Sequence, residues 1–312
     1  MPLPSQVHRD KALENISVAY KVQGLVSAEL SPDVPVRHES DVYYIYSRDQ
    51  LVVPETIRAE GAESNKATYS LSTLTYRLDE HALKDHISDR KRANADPVLN
   101  LEADATEHLT QLIMLRQEID LASVVAASGA WANVTSLTST FAWSANTTLS
   151  NPLLFVDSAS AVVIQSSGMR PNTVFMDERT YRACRTHTSI VERTRYVGIE
   201  SADEKMLAAM FAVPKVLVGS GVRNTGPEGL ADATTNTFIW TDLAWVGYVE
   251  SSPGPKKPSA AYRYTLRSGG SNVEVKRWRE DAIESDAIEV RKLFDHVYPM
   301  SAAGYQIWNT VQ

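Results

Sequence analysis

The last third of the chain is a succession of β-type segments separated by turns that contain proline and glycine. Apolar and aromatic residues alternate with polar ones in four stretches, at residues 237–250, 262–268, 273–281 and 290–311. Such alternation is typical of strands. These stretches hold almost no grouping of side chains that could perform chemistry together. The pattern therefore indicates a protein that builds a structure rather than one that catalyses a reaction.

Composition excludes several classes of protein. The chain has 312 residues, of which 43% are hydrophobic and 22% charged, so it can bury a substantial core in one large or two ordinary domains. The net charge of −7 argues against a protein that coats nucleic acid by neutralising phosphates. Its one cysteine, Cys184, cannot form an intrachain disulfide and indicates folding in a reducing compartment.

The chain carries no recognisable targeting or membrane segment. Its first 20 residues lack the basic and apolar regions of a secretory signal. No run of apolar residues approaches the ~18 that a transmembrane helix requires. We therefore expect a protein that is soluble and intracellular when it is made.

The N-terminal part is predicted to be an extended arm, which we place at residues 1–42. Four prolines keep much of it out of helix, and one short amphipathic helix is predicted at residues 10–20. Since the arm has apolar residues but no core of its own, we expect it to pack on a neighbour or across its own domain.

A long β-hairpin is predicted to follow the arm. Residues 51–60 and 67–79 read as strands that face each other across a turn at 61–65. An isolated two-stranded ribbon is marginal in water, so this one needs something to lie on, and a neighbouring subunit is the natural candidate. The charged residues near its tip are candidates for pairs between subunits: Arg58, Glu60, Glu63 and Lys66.

One long helix is predicted after a charged segment at residues 79–94. Asp96 can cap it with Pro97 at the first helical position, and it ends near Gly129. That is about 30 residues, or roughly 45 Å at 1.5 Å per residue. The residues at helical spacing are Leu101, Ala105, Leu109, Leu112, Ile113, Arg116 and Ile119.

The next part alternates helix and strand. A loop with one short strand is predicted at residues 128–149, followed by helices at 155–167, 178–187 and 202–211 and strands at 172–177 and 213–222. Gly168 is predicted to cap the first of these helices at its C-terminus. The succession indicates a small α/β layer around a sheet.

Two places could carry chemistry, and both have simpler explanations. His81, Asp85, His86 and Asp89 form the only metal-like cluster, in which His81 and Asp85 could share a helix face. Their many basic neighbours favour a solvated run of charges instead. Cys184 lies beside arginine and histidine, but a buried structural thiol is the simpler interpretation.

Three further motifs also favour structural roles. Gly219 and Gly221 lack the context of a dinucleotide-binding loop and are predicted to form a turn. Asp177 and Glu178 are explained by capping of a helix. Lys256 and Lys257 lie among prolines, which favours a rigid surface loop over a nucleic-acid contact.

The order of these parts resembles the HK97-type fold of tailed-phage major capsid proteins. Segments that resemble the family are residues 89–122, with an Arg-Ala-Asn-Ala-Asp run before the long helix, and residues 172–187, 238–249 and 274–281. The resemblance implies an α+β fold in which the long helix is the spine of a peripheral domain. It also implies that the hairpin is an extended loop and that the α/β layer is an axial domain.

The resemblance implies a domain plan, a function and partners. The arm would be residues 1–42, the hairpin and hinge 43–95, the peripheral domain 96–156 with 255–312, and the axial domain 157–254. The chain would self-assemble into hexamers and pentamers of an icosahedral phage head around double-stranded DNA, bound without sequence specificity. Scaffold, portal and decoration proteins are possible partners, and no membrane, cofactor, metal or catalytic residue is implied. The implied location is the virion, assembled in the host cytoplasm.

Two alternatives stay open at this point. An encapsulin-like compartment shell would share the fold and enclose cargo enzymes. A soluble metal-dependent enzyme would use His81, Asp85 and His86. Some family members link a lysine to an asparagine between subunits, but no motif locates an asparagine partner for Lys66, so we do not predict that linkage.

Overall fold

The computed structural model of the chain describes residues 8–9, 24–46, 52–68, 70–94, 100–127, 129–195, 202–226, 236–254, 257–266 and 272–312. The strands are β1 (His8–Arg9), β2 (Asp33–Val36), β3 (Ser40–Tyr46), β4 (Leu71–Arg77), β5 (Asp79–Ser88), β6 (Asn133–Ser136), β7 (Thr173–Asp177), β8 (Lys215–Gly219), β9 (Val222–Asn224), β10 (Asn236–Phe238), β11 (Leu243–Gly247), β12 (Tyr262–Leu266), β13 (Glu274–Glu280), β14 (Ser285–Val297) and β15 (Gly304–Trp308). The α-helices are α1 (Ser27–Leu30), α2 (Asp89–Ala93), α3 (Leu101–Val125), α4 (Pro152–Ser167), α5 (Glu178–Thr186), α6 (Thr188–Arg195) and α7 (Glu204–Met210).

A six-stranded sheet is organised by the long strand β14. Its strand order is β1-β13-β14-β12-β2, and β5 pairs with β14 as well. Strand β2 runs parallel to β12, whereas the other pairs are antiparallel. The arm therefore adds two strands, β1 and β2, to a sheet of its own chain, which confirms one of the two packing modes expected for it.

A five-stranded sheet has the order β6-β15-β11-β7-β8. Strand β7 is buried on both faces: Val174 and Met176 contact the cluster that includes α4 to α7, and Phe175 contacts the cluster that includes Trp245. Strands β6 and β15 come from the predicted peripheral segments and pair with each other, and β15 also pairs with β11 of the predicted axial segment. The sheet therefore crosses the predicted domain boundary, and that boundary stays a prediction.

The spine helix α3 packs on β5 and β14 of the six-stranded sheet and continues to the core beside the other sheet. Leu109 and Ile113 lie in the hydrophobic core on the six-stranded sheet. Leu121 and Val125 lie in the core beside the five-stranded sheet. One helix thus joins both cores. Among the helices that the structure describes, none combines the length and the hydropathy that crossing a bilayer demands.

The ends of the spine differ from the prediction. Its N-cap is Asn100, whose side chain accepts a hydrogen bond from Ala103 N at 3.3 Å. The predicted cap at Asp96–Pro97 lies outside the described residues. The helix ends at Val125 and has 25 residues, or about 38 Å at 1.5 Å per residue.

The orientation of the spine differs from the expected one in which of its residues are buried. Leu112 was expected to face inward with Ile113, but its side chain is 38% exposed, whereas Ile113 is 2% exposed. Successive residues of a helix point about 100° apart, so both cannot face one sheet squarely. Leu112 points away from the cores of its own chain.

The hairpin pairs different residues from those predicted. Its strands are β3 and β4, with Tyr43 opposite Leu74. Residues 52–68, here called the tip segment, contain no ladder of paired strands. The predicted turn is confirmed, because Ala62 N donates to Ala59 O at 3.1 Å and Gly61 has a positive φ of 81°.

Local capping signals in the α/β layer are confirmed. Gly168 ends α4 in the left-handed conformation, and its N–H donates to Ile164 O at 2.8 Å. Asp177 caps α5 by accepting hydrogen bonds from Arg179 N at 3.0 Å and Thr180 N at 3.3 Å. Helix α6 was not predicted. The helix predicted at residues 10–20 lies outside the described part of the chain.

Candidate assembly surfaces

The inner face of the hairpin is anchored on the six-stranded sheet by aromatic contacts. The ring of Tyr264 on β12 lies 5.6 Å from that of Tyr43 and 4.8 Å from that of Tyr76. Leu78 and Val34 are buried in the same cluster. Within the described part of the hairpin, its foot is thus the region that its own chain covers.

The outer face of the hairpin and its tip segment expose apolar side chains. Val42, Tyr44 and Leu71 are 46%, 64% and 42% exposed on the hairpin strands. Val53 and Ile57 in the tip segment are 81% and 82% exposed. Clustered exposed apolar residues mark surfaces that bind a partner. This concentration supports a contact between subunits on the hairpin.

The four candidate interface residues all lie exposed in the tip segment. Arg58 donates from a guanidinium nitrogen to Ser64 Oγ at 3.1 Å, so it is held across the turn. Glu60, Glu63 and Lys66 project from the same turn region. Their pairing with another subunit stays a prediction.

A network of charges fixes the hinge between hairpin and spine. Arg92 on α2 lies 3.0 Å from Glu102 on the spine and 2.6 Å from Asp286 on β14. Arg277 on β13 contacts the same two carboxylates, at 2.6 and 3.2 Å. Burial would raise the pKa of Asp286, but the hydrogen bonds from Arg92 and Arg277 outweigh it and lower that pKa. Two arginines and two carboxylates thus hold four elements together: α2, α3, β13 and β14.

A second, buried group of charges holds the arm. Asp33 on β2 accepts a hydrogen bond from Arg263 Nε and lies 3.9 Å from Lys292 Nζ. Asn272 also donates to Asp33, at 3.0 Å. Burial would raise the pKa of Asp33, but the charges of Arg263 and Lys292 outweigh it and lower that pKa. The first residue of the arm strand is therefore held by charged partners in the sheet.

Two bases in this group have strongly lowered pKa values. Burial and the charge of Arg263 lower the pKa of Lys292 to about 7. The same two causes lower the pKa of His296 to about 3. His296 Nδ1 lies 3.2 Å from Ser31 Oγ in the arm. Burial beside Arg263 therefore opposes a positive charge on both of these groups.

A buried carboxylate joins the arm, the spine and the loop before β11. Glu118 on the spine is fully buried. It accepts hydrogen bonds from Val26 N at 3.1 Å, Ser27 N at 2.8 Å and Trp240 Nε1 at 2.6 Å. Glu118 belongs to none of the motifs described above. The available signal in the sequence was that Glu118 lies three residues before Leu121, which places it on the apolar side of the helix.

The structure contradicts the proposed helix for the metal-like cluster. His81, Asp85 and His86 lie on strand β5, not on a helix. Successive side chains of a strand point to opposite faces, and residues four apart are separated by about 13 Å. His81 stacks on Phe294 at 4.4 Å between ring centroids, and His86 lies 3.8 Å from Glu280. Among the described residues, no group of three candidate ligands is placed to hold a metal ion.

The other motifs have structural roles. Cys184 is buried in the core beside the five-stranded sheet, and burial raises the pKa of its thiol. A Cβ on Gly219 would lie 2.7 Å from the ring of Trp240, so this glycine permits close packing. Lys257 donates to Ser252 O at 2.8 Å and lies 3.7 Å from Glu250. Lys256 lies outside the described residues.

Comparison with known sequences identifies relatives among phage proteins. No protein-family model matches the chain. The major capsid protein of Burkholderia phage BcepMu is 26% identical over 285 residues, which cover 88% of each chain. The major capsid protein of Pseudomonas phage JBD67 is 30% identical over 205 residues, which cover 65% of this chain and 63% of the relative.

Comparison with solved structures gives the same result for the fold. A phage-related protein from Bordetella bronchiseptica matches with a TM-score of 0.78 and 21% identity, over 97% of this chain and 98% of the other. The capsid protein of cyanophage P-SCSP1u matches with a TM-score of 0.62 and 9% identity, over 93% and 89% of the two chains. The predicted HK97-like fold and the resemblance to phage major capsid proteins are both confirmed.

Proposed function

We propose that this chain, which has the HK97-type fold and is similar to phage major capsid proteins, assembles into the hexamers and pentamers of an icosahedral phage head. The observation that carries the proposal is the match with the BcepMu capsid protein along nearly the whole chain. The exposed apolar hairpin supports it, because a surface of this kind is explained by burial against another subunit.

The proposed mechanism is packing rather than catalysis. The hairpin lies over a neighbouring subunit, and the charged residues of the tip segment form pairs with it. The α/β layer closes the centre of each capsomer. Many modest contacts repeated in a closed shell give stability without one strong interface. The head would enclose double-stranded DNA without sequence specificity, and scaffold, portal and decoration proteins would be further partners.

The phage head is favoured over the two alternatives. The fold alone does not separate a phage head from an encapsulin-like compartment, but both curated relatives are named as phage major capsid proteins. The enzyme alternative required His81 and His86 to meet at one metal ion, and the strand separates their side chains. We expect the chain to have no catalytic activity.

Electron microscopy of the purified protein, together with its sedimentation profile, tests the proposal. We expect capsomer rings or closed shells, at least after co-expression with the adjacent genes of its phage. A monodisperse monomer or dimer at every salt concentration, alone and co-expressed, would contradict it. A cargo enzyme inside the shells would favour the compartment instead.

A further inference from the structure

An open groove lies at the foot of the hairpin, between the end of the arm strand β2 and the hairpin strands. Its volume is about 620 Å³. This lies within the range of roughly 300–1,000 Å³ typical of pockets that enclose a ligand. The residues that form its apolar walls are Val34, Val36, Val42, Tyr43, Tyr44 and Leu71. Val42, Tyr44 and Leu71 are the exposed residues of the outer hairpin, so the open side of the groove is apolar as well.

The backbone beside the groove is unsuited to adding another strand. Pro32 O accepts a hydrogen bond from Arg263 N, so the peptide groups of Val34 and Val36 also face β12. Those of Pro35 face the open side, and proline has no N–H to donate. A partner in the groove is therefore held by its side chains rather than by a new ladder of hydrogen bonds.

The same chain carries an apolar segment that its own fold leaves uncovered. Val52, Val53 and Ile57 in the tip segment are 71%, 81% and 82% exposed. Glu55 accepts a hydrogen bond from Ile57 N at 3.0 Å. Asn65 Nδ2 donates to Glu55 O at 2.7 Å, which ties this segment to the returning chain. The backbone around Glu55 is thus tied down before any partner arrives, which lowers the entropy lost on binding.

The charges of the groove and the segment are complementary. Arg37 and His38 line the groove, and Arg37 is exposed. Glu55 lies between Val53 and Ile57 on the segment. Asp41 also lines the groove; its carboxylate accepts a hydrogen bond from Val42 N at 2.8 Å, as that of Glu55 does from Ile57 N, and both stay negatively charged. The complementary pair is therefore Arg37 of the groove with Glu55 of the segment. In the docked arrangement, the guanidinium of Arg37 beside the apolar walls of the groove would meet the carboxylate of Glu55 between Val53 and Ile57.

We propose that residues 52–57 of one subunit dock into this groove of a second copy, with Val53 and Ile57 against its apolar walls and Glu55 beside Arg37. The inference rests on the proposed function, since it requires a shell or capsomer. It goes further by naming the two surfaces that meet. Every subunit carries both surfaces, so the contact runs head to tail and can close into a ring.

Cross-linking tests the contact in assembled protein. Val42→Cys and Val53→Cys are combined in one chain, and shells or rings are treated with a short bismaleimide. Cys184 is buried with a raised thiol pKa, so it can stay in place. We expect a ladder of covalent oligomers in a denaturing gel. The control pairs Val53→Cys with Val134→Cys, which is 44% exposed on the edge strand β6 and should give no ladder.

A charge exchange tests the same contact without cysteines. We expect Arg37→Glu and Glu55→Arg each to lower the yield of shells about tenfold or more, because like charges then meet at a repeated contact. The double variant should restore assembly. Both residues are exposed, so the subunits should fold normally.

The outcomes separate this inference from the proposed function. Shells of the Val42→Cys/Val53→Cys variant that give no ladder, or a charge exchange that restores nothing, would overturn the docking contact and leave the capsid function standing. Single charge variants that assemble like the wild type would also overturn it. Absence of shells and rings in the wild type would instead contradict the proposed function.

Discussion

Ile113 and Leu121 on the spine helix are 2% and 0% exposed, whereas Val53 and Ile57 in the tip segment are 81% and 82% exposed. The two regions are built from similar aliphatic residues, yet one buries them within its own chain and the other does not. Burial of a side chain of this kind contributes about 1.5–3 kcal/mol. The spine gains that free energy when the subunit folds. The tip segment can gain it only when a partner covers these side chains, and under the proposed function that partner is another subunit.

Substitutions on neighbouring faces of the spine should give the largest contrast. We expect Ile113→Asp to destabilise the subunit by more than about 4 kcal/mol, because it places an unpaired charge in the core. Leu112→Asp, one residue away on the exposed face, should cost less than about 1 kcal/mol. Thermal unfolding followed by circular dichroism measures both, and equal losses would contradict the assigned orientation of the helix.

Removal of the buried carboxylate should have the next largest effect. Glu118→Ala leaves the N–H groups of Val26, Ser27 and Trp240 without their acceptor. We expect a loss of about 2–4 kcal/mol in the free energy of unfolding. Asp104→Asn on an exposed position of the same helix is the control and should change it by a few tenths of a kcal/mol. An unchanged unfolding midpoint in Glu118→Ala would refute the role of this group in fixing the arm.

The lowered pKa of Lys292 predicts how stability changes with pH. Between about pH 7 and its ordinary pKa, the unfolded chain binds a proton that the folded subunit does not, so stability rises with pH through this window. Lys292→Met removes this contribution. We expect the stability of the wild type, relative to this variant, to increase by about 2 kcal/mol from pH 7 to pH 9.

Chemical denaturation at the two pH values measures this difference, with Lys205→Met on an exposed lysine as the control. A parallel pH dependence of wild type and Lys292→Met would show that Lys292 is not held beside Arg263 in the folded subunit. His296 acts in the same direction at lower pH, since its folded pKa of about 3 lies below its ordinary value.

Deletion of residues 59–67 should have the smallest effect on folding and still prevent assembly. These residues lie at an exposed turn, so we expect a change of less than about 1 kcal/mol in unfolding free energy. Sedimentation should show subunits that no longer form shells. Replacing the same residues by glycine and serine keeps the length of the segment but removes its charges. This variant therefore distinguishes the contribution of the length to assembly from that of the charges. Normal shells from the deletion variant would contradict a role of the tip in assembly.

Local signals allowed most of the elements to be predicted from the sequence. The caps at Gly168 and Asp177 act within a few residues of themselves, so their roles do not depend on the rest of the chain. The predicted spine likewise agrees with α3 over most of its length, because its apolar spacing extends over several turns. Its start at Asn100 was missed, since the sequence contains more than one suitable cap.

Features set by distant contacts could not be predicted in the same way. The spacing of His81 and Asp85 suits a helix, but pairing with β14 makes this segment a strand. Tyr43, which pairs with Leu74, packs on Tyr264, more than two hundred residues later in the chain. Asp33 and Lys292 are brought together by the parallel pairing of β2 with β12 beside β14. Nothing in the neighbouring sequence marks either residue as a partner.

The position of β15 has a consequence for the timing of assembly in the cell. This strand lies between β6 and β11 in the middle of the five-stranded sheet, and Tyr305 pairs with Asn133, about 170 residues earlier. At a synthesis rate of about 5–20 residues per second, the ribosome needs on the order of 10 seconds or more to supply β15 after β6. A chain in which β15 has not yet been made thus has a gap between β6 and β11, and its surface there is not the one that a complete sheet offers.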